Sequence, residues 1–457
     1  MIYLIPKAEI EKAMGISIPV STKMDEALRS WIELYTNESY WLIEDTVSLE
    51  LASGIASKTA KFITNNGKSW ITGTERAAYL QEQYSRFMTN IRTKTELACA
   101  LGGVVFKPYL LGKRINVETI TADRFFPVAF SPDGEMTAAV FAERFTSGKT
   151  FYTRLEYHNL DTDTNVYTVQ NRAFSSRNIH SLGTECRLED VGSWSDYTEN
   201  MVIQGVEHPL FAYFRMPDVN NIQIGSPLGM SCYQKAAEHI RQADQHWEKI
   251  MWEYQGSELA IMAEDSLFKI ERGKAEIPKG KKRLYRILQG NGDGNFFKEF
   301  SPAIRDSALF NGFNRILQRI EFDCDLAYGT ISDPQTVEKT AEEVRASKDT
   351  SRSSMQEKQK SLESALKQVV WIMNEYADYY RLAPAGEYEI MFEWGDGIAI
   401  DREAEYARRL QLATAGKYKW EKFLAWYFGC SEEKAAEMIP EAAPLFGGDS
   451  NVDTGVL

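Results

Sequence analysis

The 457-residue chain is poor in cysteine and histidine, with five of each. Cys99, Cys186, Cys232, Cys324 and Cys430 are odd in number, widely spaced and never paired as CxxC. That excludes a disulfide framework and a zinc ribbon and points to a reducing compartment. His158, His180, His208, His239 and His246 supply no HExxH and no pair four apart. His239 and His246, seven apart, share a helix face, and packing is the better reading there than a metal site. Positive charge is also short: 52 Lys and Arg stand against 65 Asp and Glu, a formal net charge of -13. No domain-wide basic field advertises nucleic-acid binding, so any contact with DNA has to be local or fleeting. The longest apolar run, Leu97 to Phe106, is far too short for a bilayer, and Met1 to Gly15 lacks a basic segment followed by a long apolar core. The expectation is a soluble chain without a signal peptide. No internal repeat or low-complexity block is evident.

An apolar content of 44% with 12% aromatics describes a globular chain, long enough for two to four domains. The first hundred residues read as helices: Trp31, Ile32 and Tyr35 share a face, Val47 to Ile63 forms a second segment, and Thr74 to Ala100 a third. From Gly102 to about Phe214 short β-rich runs alternate with turns. The runs are Val104 to Tyr109, Ile115 to Ile120, Ala138 to Arg144, Phe151 to His158 and Val166 to Gln170, and they predict one antiparallel meander.

Between Ser226 and Tyr254 an apolar residue returns every three or four positions, with Ser226 and Pro227 as cap and first helical residue. A second such helix starts at Ser301 and Pro302 and carries Leu309, Phe313, Ile316 and Ile320. The pair brackets a small β insertion from about Glu258 to Phe300 and reads as a stalk with a tip. Such a stalk has little core of its own and is expected to pack against copies of itself. A further helical pattern runs from Val337 to Tyr380, and its polar stretch, Arg345 to Ser354, is expected to break or kink it. A strand from Tyr388 to Trp394, a helical piece from Arg402 to Ile439 and a mobile tail from Gly447 complete the chain.

Little in this order carries chemistry. Ser147 to Thr150 ends like a phosphate-binding loop, but the position five before Gly148 is Glu143 rather than glycine, so a hairpin turn is preferred. Gly290 to Asn295 (GNGDGN) has the look of a calcium loop, yet the first and last ligand positions fall on Gln289 and Phe300. Glu389, Glu393, Asp396 and Asp401 beside Trp394 form the densest carboxylate cluster, and a carbohydrate-active hydrolase centred on Glu393 is the alternative function. The ordinary reading there is a strand end, a glycine turn and a helix cap. One basic cluster, Lys279, Lys281, Lys282, Arg283 and Arg286, lies in the tip insertion.

Several ordered segments resemble the portal proteins of tailed bacteriophages, in particular those of siphophages of Gram-positive hosts. They are Leu101 to Tyr109 (LGGVVFKPY), Ala122 to Pro127 (ADRFFP), Thr153 to His158 (TRLEYH), His208 to Met230 (HPLFAYFRMPDVNNIQIGSPLGM) and Val337 to Val344 (VEKTAEEV). The last is similar to a Lys-Thr-Ala-Thr-Glu-Val element of that family, with Glu342 in place of threonine. The similarity runs from about Trp31 to Glu437.

The resemblance implies an α+β portal fold: a wing of helices plus the β meander (1–225), stem helices (226–257 and 301–328) and a small α/β clip (258–300). A tunnel loop with a long helix (329–381), a strand returning to the wing (382–400) and a crown with a flexible tail (401–457) follow. It implies a non-enzymatic homo-oligomeric ring, usually of twelve, at one capsid vertex of the virion, assembled in the host cytoplasm and without cofactor, metal or membrane. The partners implied are double-stranded DNA in transit, the terminase large subunit, a head-tail connector, the major capsid protein and scaffold. The expected tunnel-facing cations are Lys339, Arg345 and Lys348, and the expected clip docking residues are Lys281, Lys282, Arg283 and Arg286. The expected subunit-interface residues on the stem are Tyr233, Ile240, Trp247, Met251, Phe313, Ile316 and Ile320.

Overall fold

A computed structural model describes residues 5–43, 46–65, 67–257, 260–264, 269–271, 274–276, 285–288, 297–300, 305–333, 341–394, 402–428 and 432–439. They fall into two units, residues 1–397 and 398–457.

The first unit begins with helices α1 (Lys7–Met14), α2 (Thr22–Tyr35) and α3 (Leu51–Thr64), strand β1 (Lys68–Gly73), and helices α4 (Glu75–Met88) and α5 (Ile91–Leu101). Ser21 caps α2 by accepting the Met24 N–H, and Gly15, at φ +67°, closes α1 in the left-handed region that suits glycine. The single helix expected from Thr74 to Ala100 is therefore two. Lys94 Nζ reaches back across the break to the Phe87 carbonyl at 2.6 Å.

The expected meander is also divided. Strands β2 (Gly103–Leu111), β3 (Arg114–Thr121), β4 (Phe125–Phe130), β5 (Met136–Ser147), β6 (Thr150–Asp161), β7 (Val166–Ser176), β8 (Thr184–Cys186), β9 (Asn200–Gln204) and β10 (Ala212–Arg215) form two antiparallel sheets. One has the order β10-β2-β3; the other has β4-β5-β6-β7-β8, with β9 also on β7. Gly148, at φ +61°, and Lys149 make the tight turn between β5 and β6, so the loop that ends like a phosphate-binding motif is a hairpin.

Buried charges sit between the sheets. Glu156 on β6 receives Lys107 of β2 at 2.6 Å, Arg154 at 3.0 Å and His158 Nε2 at 2.7 Å, while His158 Nδ1 meets the Tyr167 hydroxyl at 2.7 Å. Burial alone would raise the Glu156 pKa, but Lys107, His158 and Arg154 outweigh it and hold the carboxyl well below its usual range. His158 moves down as well, because burial of its ring outweighs the attraction of Glu156.

A 3-10 turn (Gln234–Ala236) leads into α6 (Ala237–Gly256). The helix thus starts eleven residues after the Ser226 expected from periodicity. The reason is a close backbone crossing: a Cβ on Gly229 would lie 2.1 Å from the Gly102 oxygen, and one on Gly102 would lie 2.6 Å from the Gly229 oxygen. Cys232 N–H then donates to Cys99 O at 2.9 Å, so residues 226–233 fasten the end of α5 instead of entering a helix.

In the insertion, β11 (Ala260–Glu264), β14 (Tyr285–Leu288) and β15 (Phe297–Phe300) form a mixed sheet, and β12 (Lys269–Glu271) pairs with β13 (Lys274–Glu276). Helix α7 (Asp306–Asp323) returns from it; Ser301 and Pro302 lie outside the described residues. Helix α8 (Ala341–Tyr379) is continuous over 39 residues, about 60 Å at ~1.5 Å per residue. The break expected at Arg345 to Ser354 is absent because those polar side chains are used: Ser347 accepts the Tyr328 N–H at 3.1 Å, and Ser354 donates to Asp325 at 3.1 Å. Leu362, Leu366, Val369, Val370, Ile372 and Met373 have no exposed surface. This half of α8 packs on α3, α4, β2, β10 and the last strand, β16 (Tyr388–Glu393), which pairs with β1. In the second unit, helices α9 (Arg402–Thr414), α10 (Trp420–Phe428) and α11 (Glu432–Glu437) include an aromatic cluster of Tyr406, Phe423 and Tyr427.

Arg76 of α4 ties this architecture together. It is 2% exposed and donates to Pro384 O, Ala383 O, Asn374 O, Asn374 Oδ1 and Asp378 Oδ1 at 2.5–3.2 Å, filling the C-terminal end of α8 with a planar cation. Arg76→Ala is expected to cost roughly 3–5 kcal/mol in denaturant unfolding, and Arg76→Lys nearly as much, since an ammonium cannot reproduce the fork. Arg187→Ala, at a surface ion pair 72% exposed, is expected to change little.

The buried His158 and Glu156 give a two-stage acid response. Below pH 6.5 the unfolded chain takes up a proton that folded His158 resists, so its contribution is complete above 6.5 and is lost as pH falls toward the depressed folded value. The contribution of Glu156 is complete above pH 4.5 and is lost at still lower pH, through its depressed folded value. Unfolding free energy measured against pH is expected to show both stages, each at most about 1.4 kcal/mol per pH unit. His158→Gln should remove the upper stage and leave the lower.

Candidate functional site

Helices α6 and α7 run antiparallel and pack on each other. His239 Nδ1 lies 2.8 Å from Asp323 Oδ2, and His246 meets the Leu309 carbonyl at 3.1 Å while stacking on Phe313. Trp247 rests on Phe313 and Phe310, and Arg305 pairs with Glu253 at 2.9 Å. Both histidines are thus spent on packing, and among the described residues no group of three side chains is placed to hold a metal ion.

The stripe residues expected at a boundary between copies are divided by this pairing. Tyr233, Ile240 and Ile320 are buried inside the chain, with the Tyr233 hydroxyl donating to Trp31 O at 2.8 Å. Trp247, Met251, Phe313 and Ile316 are half-buried. The helices have an intrachain partner after all. The large apolar side chains left outward are Trp252, Phe322 and Phe310, at 68%, 60% and 38% exposure, which lie off the stripe, and Tyr254, at 36%, which lies on it.

The far side of α6 carries a strap made of residues 36–43 and 46–50. Trp41 Nε1 and Leu49 N–H both donate to the Asp244 carboxylate, at 3.0 and 2.9 Å, and Thr46 Oγ1 donates to Glu248 at 2.8 Å. Burial pushes the Asp244 pKa up even though these donors oppose it.

Between α7 and α8, residues 324–333 are folded around one carboxylate. Glu321 is fully buried and accepts the N–H groups of Gly329, Ile331 and Ser332 at 3.2, 2.7 and 2.9 Å, plus the Ser332 hydroxyl at 2.8 Å. Lys58 Nζ on α3 donates to Thr330 O at 2.5 Å, and Asn314 Oδ1 accepts the Asp333 N–H at 2.8 Å. Beyond this anchored loop, Arg345 and Lys348 are exposed on the first turns of α8, three residues apart and turned away from Ser347 and Ser354. Lys339 lies outside the described residues, as do Lys279, Lys281, Lys282, Arg283 and the run from Gly290 to Asn295; Arg286 is on β14, opposite Met262.

The carboxylate cluster does not converge. Glu389 and Glu393 are exposed and four residues apart on β16, about 13 Å along a strand that rises ~3.3 Å per residue. Working glycosidase carboxylates lie only ~5–9.5 Å apart. Trp394 packs on Gly67 and donates to Glu363 at 3.1 Å, while Asp396 and Asp401 lie outside the described residues.

The Glu321 cradle is invisible to periodicity, since it is one acidic residue on a helix whose neighbours Ile320 and Phe322 are apolar. Replacing it with alanine strands the buried Ser332 N–H and the half-buried Ile331 N–H, while the Gly329 N–H keeps the Ser332 hydroxyl, at a cost of roughly 2–3 kcal/mol. Amide exchange at residues 331 and 332 is expected to accelerate more than tenfold in Glu321→Ala. Unchanged exchange there would show that the carboxylate is not the anchor.

The family described as phage portal protein, SPP1 Gp6-like, matches residues 43–443, which takes in both sheets, the α6–α7 pair with its insertion, α8 and the three C-terminal helices. No curated protein matches the chain. The family is structural rather than enzymatic, its members assembling as rings in the phage capsid. Its extent over this mixed α+β architecture gives the assignment: the chain belongs to the phage portal proteins of the SPP1 Gp6-like family.

Proposed function

We propose that this chain forms the ring at the unique capsid vertex through which viral DNA is packaged and later ejected. In this reading the ring docks the terminase large subunit during filling and a head-tail connector afterwards, beside the major capsid protein and scaffold, and twelve copies close it. The observation that carries the reading is the family match across 43–443. Residues 1–225 would form the wing, α6 and α7 the stem, the insertion between them the clip, and 329–381 the tunnel wall. Residues 382–400 would return the chain to the wing, in keeping with the β1–β16 pairing, and the second unit would form the crown.

The charge balance suits a conduit. A wall that gripped phosphates would slow DNA through counterion-release binding, whereas a chain of net charge -13 with a few exposed cations leaves DNA centred and mobile. Arg345 and Lys348 are exposed next to the anchored loop, which supports them, with Lys339, as the phosphate-facing groups.

In a packaging assay the triple variant Lys339→Ala, Arg345→Ala, Lys348→Ala is expected to change the rate and to flatten its salt dependence, by about 0.9 in log-log slope for each phosphate no longer neutralised. Unchanged rate, salt response and DNA retention would remove the assignment. Charge reversal at Lys281, Lys282, Arg283 and Arg286 is expected to weaken connector binding at least tenfold with the ring intact. Loss of the ring instead would make those residues structural.

A further inference from the structure

Three large apolar side chains stand almost fully in solvent on the strap: Tyr40 at 78%, Ile43 at 70% and Val47 at 69% exposure. Trp252 continues the same side of α6, because positions 241, 248 and 252 fall on one helical line and the strap is bonded along it through Glu248. Several large exposed apolar side chains on one side of the helix pair mark a surface made for covering. The strap, residues 36–50, contains no lysine or arginine, and Glu38 and Glu50 are exposed on it.

The opposite side of the α6–α7 pair has the complementary character. Ala308, Asn311, Arg315, Arg319 and Phe322 are exposed and recur at helical spacing on the side of α7 turned away from α6. Two arginines are its charged groups: Arg319 is paired with Asp323 at 3.0 Å and lies 5.0 Å over the Phe322 ring, so Arg315 is the cation that face offers a neighbour. The strap and α7 occupy opposite sides of α6, since Asp244 and Glu248 hold the strap while His239, His246 and Glu253 face α7.

We propose that copies of this chain stack head to tail through these faces, with Tyr40, Ile43 and Val47 of one copy seated against Asn311, Arg315 and Arg319 of the next. The inference rests on the ring assembly of the family. A ring needs two different, complementary faces on opposite sides of each subunit, which strap and α7 supply. A twofold pairing of straps would bring Glu38 and Glu50 against their own copies. With the ring axis taken along the α6–α7 pair, rotation keeps heights along the helices equal, and those heights agree. Val47 is beside Thr46, which bonds Glu248, and the His246–Leu309 and Trp247–Phe313 contacts place Asn311 level with Glu248.

The test is cysteine cross-linking of the full chain with a short bismaleimide, comparing the pair Val47→Cys, Asn311→Cys with each single variant. Light scattering on the same samples reports whether rings form. Rings with a ladder of cross-linked multimers in the double variant alone are the expected result. Rings without that ladder, or cross-linking that stops at a dimer, would overturn the seating and leave the portal reading standing. A chain that forms no ring in any variant would overturn both. As a second reading, Arg315→Glu, which disturbs no ion pair within the chain among the described residues, is expected to raise the concentration at which rings dissociate at least tenfold.

Discussion

The structure depends on the burial of the second half of α8. A helix whose apolar side chains are sealed on nearly every side has to be wrapped, and helices, both strands of the β10-β2 pair and β16 do the wrapping. Its end is closed by a single cation, Arg76, whose donors take up the carbonyls that the last turn and the following loop leave open. From that spine the chain spreads outward to the α6–α7 pair and the sheets. Burial there is shared between apolar packing and the charged cluster around Glu156, in which every ion has an opposite partner.

What could be read from the sequence was periodic. The recurrence of Leu362, Leu366, Val369, Met373 and Tyr376 marked α8, and alternating β-rich runs marked five of the strands. The features that escaped depend on long-range contacts. Nothing local shows that Gly229 must cross Gly102, yet that crossing delays the first residue of α6 from Pro227 to Ala237. The Arg345 to Ser354 stretch has the composition of a break, and only the loop around Glu321 explains why its serines serve a continuous helix. The meander divides where β3 and β4 do not pair, and β10, four residues long, joins the free edge of β2 from far along the chain.

The same distinction applies to the candidate site. Exposed Arg345 and Lys348 were legible as cations flanking a loop, and their exposure is consistent with the role proposed for them. The expected stem residues form an apolar stripe, of which Tyr233, Ile240 and Ile320 are taken up inside the chain while Trp247, Met251, Phe313 and Ile316 stay half-buried. The outward surface includes residues off the stripe, Trp252 and Phe322, and a strap that no helical pattern predicts.

The measurement that bears most directly on the central claim is the native mass of the purified 52.1 kDa chain by light scattering, with negative-stain images of the same peak. The account predicts a closed ring of about twelve subunits with a central hole, following the family assignment. A discrete dimer or tetramer without a hole, persisting at high concentration and in the presence of scaffold, would contradict it.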